Sequence, residues 1–297
     1  MFKTLKLGFK LNLLLGAILL SLIVSIGIVL SMVLNRYAQE VIAERASMLM
    51  ETMNSVRDYT STQINPELAS RLENEPVFLP QTVPAYSARE VFENLRNKEE
   101  YSQFFYKEAT LNPTNIRDKA DNFEAQIVKS FQDNSAAQQQ GFREIPGGEI
   151  FYIARPIKIT KESCLRCHGD PKAAPKSLIT SYGDRNGFDW KLNEIVGAQI
   201  ISVPSSQVFQ TAAQLRYLVI GKIAIFLLFA IIALNLFLKF TITNPLKEMS
   251  SLSKKLSMGD MEIEFKQKNQ DEIGILAASL NRLRVSMKMA MDMLENK

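Results

Sequence analysis

The chain has 297 residues and a formal net charge of +4, with 35 Lys and Arg against 31 Asp and Glu. That excess is too small, and too scattered along the sequence, for a nucleic-acid-binding face. The length accommodates one ordinary globular domain with smaller modules, while the cysteine and histidine inventory is minimal: two cysteines and one histidine.

A short tail, residues 1–10, carries Lys3, Lys6 and Lys10 and leads into residues 11–34, an apolar block without a single charge. About 20 such residues cross the hydrocarbon core of a bilayer as a helix. A cleaved signal peptide is the competing reading. Its apolar region is about 7–15 residues long and ends at small residues, whereas Asn35-Arg36-Tyr37-Ala38 offers no good cleavage site. A second apolar block, residues 217–239, is interrupted only by Lys222, which lies close enough to one end to snorkel. Lys239 closes the block and Lys247 follows it. The positive-inside tendency then predicts a two-pass inner-membrane protein with both termini cytoplasmic and residues 35–216 periplasmic.

Within residues 35–216, Ile42, Ala46, Leu49, Met53 and Val56 recur at steps of three and four, a helical seam continuing outward from the first span. It is predicted to end near Asn65-Pro66, because the residue before proline avoids helical geometry. A loop with Pro76, Pro80 and Pro84 follows, then helices around 87–96 and 115–131. The period then changes. Residues 142–145, the turn Pro146-Gly147-Gly148 and residues 149–159 read as a β-hairpin. Residues 194–203 read as a further strand, with Ser205 as a cap for the helix that becomes the second span.

The only cysteines and the only histidine are adjacent, in Cys164-Leu165-Arg166-Cys167-His168. Cys-x-x-Cys-His is the signature of c-type haem attachment. Two thiols add to the haem vinyl groups, and the histidine binds iron. Three alternatives compete. A thioredoxin-like dithiol would open a long helix, which Pro171 and Pro175 prevent. A zinc site needs four ligands and would have to borrow a carboxylate. A disulfide across two residues would constrain very little chain.

With no second histidine, bis-histidine iron is excluded. Methionine is the next common ligand, and the extracytoplasmic methionines are Met48, Met50 and Met53. Met50 and Met53, on adjoining turns, are candidate iron ligands beside His168; core or dimer packing is the alternative. Tyr152 and Arg155, on the hairpin before the motif, are candidates for the haem propionates, and equally plain strand residues.

Residues 240–297 hold two helical patterns around a connector. Ile273, Leu276, Leu280, Leu283, Met287, Ala290 and Leu294 form an unbroken coiled-coil seam, and Gly259 is a predicted helix C-cap. The segment resembles the HAMP domain, a dimeric four-helix signalling bundle, through Pro245, Gly259-Asp260 and Asp271-Glu272-Ile273-Gly274. A dimerisation coiled coil without switching is the alternative.

The whole order is similar to cyanobacterial-type HAMP-linked membrane sensors with an extracytoplasmic c-type haem domain. The resemblance is carried by Thr52-Met53-Asn54-Ser55-Val56-Arg57-Asp58-Tyr59-Thr60, by Asn65-Pro66, by Phe151-Tyr152-Ile153-Ala154-Arg155-Pro156 and by Glu162-Ser163 leading into the cysteine motif. It implies one covalent haem on Cys164 and Cys167, His168 as iron ligand, and a PAS-like fold. It leaves the sixth ligand open, because a cysteine that the family carries on the first helix has no counterpart in this chain. The expectation is an α+β architecture: two transmembrane helices flanking a PAS-like c-type haem domain, followed by a HAMP-like parallel coiled-coil bundle. The expected function is a homodimeric haem-based redox or gas sensor, not an enzyme. With its sole histidine outside, it would signal to a separate cytoplasmic partner such as a histidine kinase. The rival is a membrane-tethered monohaem electron carrier.

Overall fold

The structure is a computed structural model that describes residues 7–134, 136–146, 148–266 and 270–295. Lys3, Lys6 and the turn residue Gly147 lie outside the described residues. The chain divides into two units, Ser31–Gln214 and a second made of Met1–Leu30 with Leu215–Lys297.

The first helix, α1, runs unbroken from Leu7 to Tyr59. It passes through a π-helical turn, Thr60–Ile64, and continues as α2, Asn65–Asn74. The helical path therefore does not stop at Asn65-Pro66, as the sequence reading expected. Proline lacks the N–H for an i→i−4 bond, and its ring collides with the carbonyl four residues back. Widening the ladder before Pro66 relieves both problems without breaking the helix. The same solution recurs at Asn244-Pro245, where a π-helical turn, Lys239–Thr243, precedes the proline.

The Ser31–Gln214 unit is built on a four-stranded antiparallel sheet of order β1-β4-β3-β2. The strands are β1 (Phe105–Thr110), β2 (Gln139–Ile145), β3 (Gly148–Lys158) and β4 (Ile195–Pro204). The hairpin and the last strand are where their alternation predicted. Strand β1 was missed because Lys107-Glu108 breaks its apolar pattern. The two charges point to opposite faces, where each has a partner: Lys107 with Glu124 at 2.7 Å, and Glu108 with Arg57.

Helices α1 and α3 (Pro84–Arg96) supply one face of this sheet: Ile42, Ala46, Met50, Met53, Ala88 and Phe92 bury against Tyr106, Phe151, Ile153, Ile201 and Val203. Helix α4 (Asn122–Asn134) covers the other, with Ile127, Val128 and Phe131 against Ala109, Tyr152, Ala154, Ala198 and Ile200. Helix α4 starts later than residue 115 because Asp121 and Glu124 form a reciprocal cap there. The Asp121 carboxylate accepts from the Glu124 N–H at 2.8 Å, and Glu124 accepts from the Asp121 N–H at 2.8 Å. Residues 116–118 form a separate 3₁₀ turn. The motif sits on the four-residue helix α5 (Leu165–His168), followed by α6 (Lys176–Tyr182).

Helix α7 runs Ser206–Leu238. Ser205 does not cap it with its hydroxyl, which donates instead to the Glu149 carbonyl at 2.6 Å and sews β3 to the helix start. Helices α1 and α7 each carry an apolar stretch long enough to cross a membrane, and none of either stretch is buried within the protein.

Helices α8 (Asn244–Ser257) and α9 (Glu272–Glu295) pack through Met249, Leu256, Phe265 and Ala277. Gly259, at φ +93°, ends α8 in the left-handed conformation that glycine adopts freely. The Asp271 carboxylate opens α9 by accepting from the Ile273 and Gly274 N–H groups, both at 3.1 Å. The Asn281 side chain holds the connector by bonding both the N–H and the carbonyl of Phe265, at 3.0 and 2.6 Å. The face turned inward runs through Ala277, which the predicted seam did not include, and Leu280, which it did. Leu276, Leu283 and Met287 of that seam stay 40%, 52% and 38% exposed.

Candidate functional site

The site begins with a 3₁₀ turn, Glu162–Cys164, that winds directly into α5. This places both thiols on one short helical turn. Cys164 and Cys167 are free thiols, each half-buried. Burial pushes the Cys167 thiol up, as does nearby Cys164, while Arg166 works in the opposite direction. Gly169 ends the turn, with the space where its side chain would sit only 2.5 Å from the Leu165 carbonyl, so only glycine follows the histidine without strain.

His168 is held on several sides. Its Nδ1 lies 2.8 Å from the Gly187 carbonyl, with the Thr114 hydroxyl at 3.5 Å. A carbonyl can only accept, so Nδ1 carries the proton and Nε2 keeps its lone pair. Burial pulls the imidazole below its ordinary range despite the Gly187 bond, which favours the neutral ring. The ring stacks on Trp190, centroids 4.0 Å apart and planes 10° from parallel. No hydrogen-bond partner for Nε2 occurs among the described residues. Two thiols beside a neutral imidazole with one free nitrogen fit thioether attachment of a haem and ligation of its iron.

Cys167 packs at the margin of a third cluster, of Leu72, Phe78, Leu178 and Phe188. Leu72 belongs to α2, and its carbonyl accepts from the Ser177 hydroxyl at 3.3 Å. The helix that continues α1 therefore touches the neighbourhood of the motif.

The other sequence candidates lie elsewhere. Met50 is fully buried and Met53 nearly so, both in the cluster under the sheet; Met48 is exposed. The fold does not gather them into the cluster that includes Cys167. Tyr152 points to the α4 face, edge-on to Phe123 at 5.1 Å, and its hydroxyl accepts from Gln139 at 3.2 Å. Arg155 is engaged with Glu51 on α1 at 2.5 Å and with Gln138 at 3.1 Å. Conversely, Gly187, Trp190, Thr114 and Asn112 surround His168 without having been singled out. The one available signal was the chain's single tryptophan, within the glycine-bearing stretch after the motif.

An antiparallel sheet between helical layers, with a cysteine–histidine module at its side and apolar helices before and after, defines a two-span membrane protein with an α+β domain between its spans. Family comparison narrows this: residues 35–204 match the Tll0287-like family, over more than half of the chain, and the chain belongs to it. Residues 237–289 match the HAMP domain, which follows the second span. The sensor histidine kinase WalK of Bacillus subtilis (strain 168) is 29% identical over 170 residues, 57% of this chain and 27% of that protein. The chain thus spans about a quarter of that relative's length. The crystal structure of the cyanobacterial heme-protein Tll0287 is similar with a TM-score of 0.41 and 14% identity, over 55% of this chain and 94% of that chain.

Proposed function

We propose that this membrane sensor detects redox state or a small gaseous ligand at one haem, attached covalently to Cys164 and Cys167 and ligated by His168. The observation that carries the reading is the state of His168: Nδ1 committed to the Gly187 carbonyl, Nε2 free, and two half-buried free thiols on the same turn. Membership of the Tll0287-like family, named for a cyanobacterial haem-protein, supports it. Bound there, haem supplies a one-electron iron centre that can also take an external ligand.

The protein's own residues hold that centre and pass on its state. His168 offers Nε2, and Gly187 fixes its tautomer. Cys167 packs on the cluster that contains Leu72, so movement of the motif would reach α2 through that cluster and, through the π-helical turn, α1. Gain or loss of an iron ligand has to bias two packings by about 1–3 kcal/mol to count as a signal. The HAMP domain argues for signalling over simple electron carriage. The exposed Leu276, Leu283 and Met287 on α9 support assembly as a homodimer through that domain. We further propose a periplasmic haem domain, cytoplasmic termini and a kinase-type cytoplasmic partner. Met50 or Met53 as sixth ligand would require α1 to repack.

Visible spectra of purified full-length protein, oxidised and reduced, with a pyridine haemochrome assay, test the reading. The expected result is c-type haem that survives denaturation. Protein matured in a c-type-competent host yet free of covalent haem would overturn it.

A further inference from the structure

Trp190 is the only tryptophan in the chain, and it stacks flat on the only histidine. Two separate stretches hold the pair together. The Asp189 N–H donates to the Gly169 carbonyl and the Trp190 N–H to the His168 carbonyl, both at 3.0 Å, so residues 189–190 are zipped to the end of the motif. Asp189 takes a left-handed conformation, φ +63°, uncommon for a residue other than glycine, and that bend delivers the indole to the imidazole face. On the ring's edge, Gly187 presents its carbonyl to Nδ1 from a left-handed position, φ +80°. Its own N–H is held by the Asn112 side chain at 3.2 Å. A side chain at position 187 would sit 2.0 Å from the Thr114 hydroxyl and 2.7 Å from the Thr114 nitrogen. The loop carrying Asn112 and Thr114 thus closes against Gly187 and aims its carbonyl.

We infer that Trp190, together with the Asn112-anchored carbonyl of Gly187, is the positioning device for His168, fixing its ring plane and tautomer so that Nε2 alone is presented. This deepens the haem reading and rests on it. Stacking covers a face of the imidazole and leaves its edge free, so it orients the ring without competing for the ligand position. The indole face is negative and the Gly187 carbonyl accepts Nδ1–H. Both therefore stabilise positive charge on the imidazole, which is larger when the ligated iron is oxidised. Trp190 and Gly187 accordingly favour the oxidised form.

The test uses the full chain in detergent and the advantage of a single histidine. In ¹⁵N-histidine-labelled protein prepared without haem, the wild type should show the Nδ1–H tautomer alone at neutral pH. N112A and W190L should populate the Nε2–H tautomer at least several-fold more. N112D, which keeps an acceptor for the Gly187 N–H, and W190F, which keeps an aromatic face, should restore the wild-type pattern. In haem-loaded protein, W190L should shift the reduction equilibrium toward the reduced form by up to tenfold, ~59 mV for a one-electron couple, with W190F close to wild type. If W190L fails to fold, N112A against N112D carries the same comparison. A mixed tautomer in the wild type, or variants with unchanged tautomer and potential, would overturn the inference while covalent haem still upheld the proposed function. Absence of haem from matured wild type would sink the function and leave the tautomer experiment to decide the positioning.

Discussion

Ion pairs thread the Ser31–Gln214 unit, and Asp118 is the carboxylate for which burial outweighs its arginine partners. Arg57 on α1 meets Glu108 on β1, whose carboxylate also accepts from the Tyr106 hydroxyl at 2.5 Å. Burial opposes the Arg57 charge, but Glu108 and Tyr106 outweigh it and hold the guanidinium above its ordinary range. Asp118 is 3.9 Å from Arg89 and 3.3 Å from Arg117. Burial pushes its carboxyl up to about 6, against the pull of Arg89. A raised carboxyl means that the folded protein binds the proton more tightly than the unfolded chain does. Its contribution to stability is therefore greatest at low pH and is lost as pH rises from about 4 to about 6. Asp118→Asn should flatten that part of a melting-temperature-against-pH curve and leave the region above pH 7 level; an unchanged slope would show that another group sets it. At the motif, Cys164→Ala or Cys167→Ala should each leave haem on one thioether, and the double variant none, read by haem staining of denaturing gels. His168→Ala should retain covalent haem and change its spectrum.

At the scale of elements, the signals that were legible in sequence are those made by local backbone rules. Gly259 marks the end of α8 through capping and lies where the sequence put it, while Asp271, read in the sequence as part of the HAMP resemblance, caps the start of α9. Asp271→Ala should cost about 1 kcal/mol and fray the first turn of α9, measurable by hydrogen exchange at residues 273–274. Strand β1 and the start of α4 escaped the sequence reading because their charged residues are satisfied by partners distant in the chain or by a reciprocal cap. The methionines on α1 are the instructive case. Helical spacing placed Met50 and Met53 on adjoining turns, but spacing does not say what the helix face meets; it meets the sheet. Met50→Ala should destabilise the protein by about 2–5 kcal/mol in chemical denaturation. If the oxidised spectrum of the haem-loaded protein changes as well, Met50 is an iron ligand and α1 has repacked.

For the whole molecule, the apolar stripe left on α9 sets the expectation. Leu283→Asp should shift detergent-solubilised protein from dimer to monomer in light scattering without unfolding the Ser31–Gln214 unit; a dimer that survives must be held elsewhere. The sequence by itself determined the two spans, the helical segments on either side of the sheet and the Cys164-Cys167-His168 motif. These depend on composition, periodicity and adjacency, all of which are local. Tertiary structure alone decided what surrounds His168, because Asn112, Thr114, Gly187 and Trp190 come from two loops separated by some 70 residues of chain. It also decided that α1 buries Met50 and Met53 under the sheet and continues through a π-helical turn to Leu72, in the cluster on which Cys167 packs. Which side chains share a cluster depends on how the chain returns on itself, and no periodicity records that.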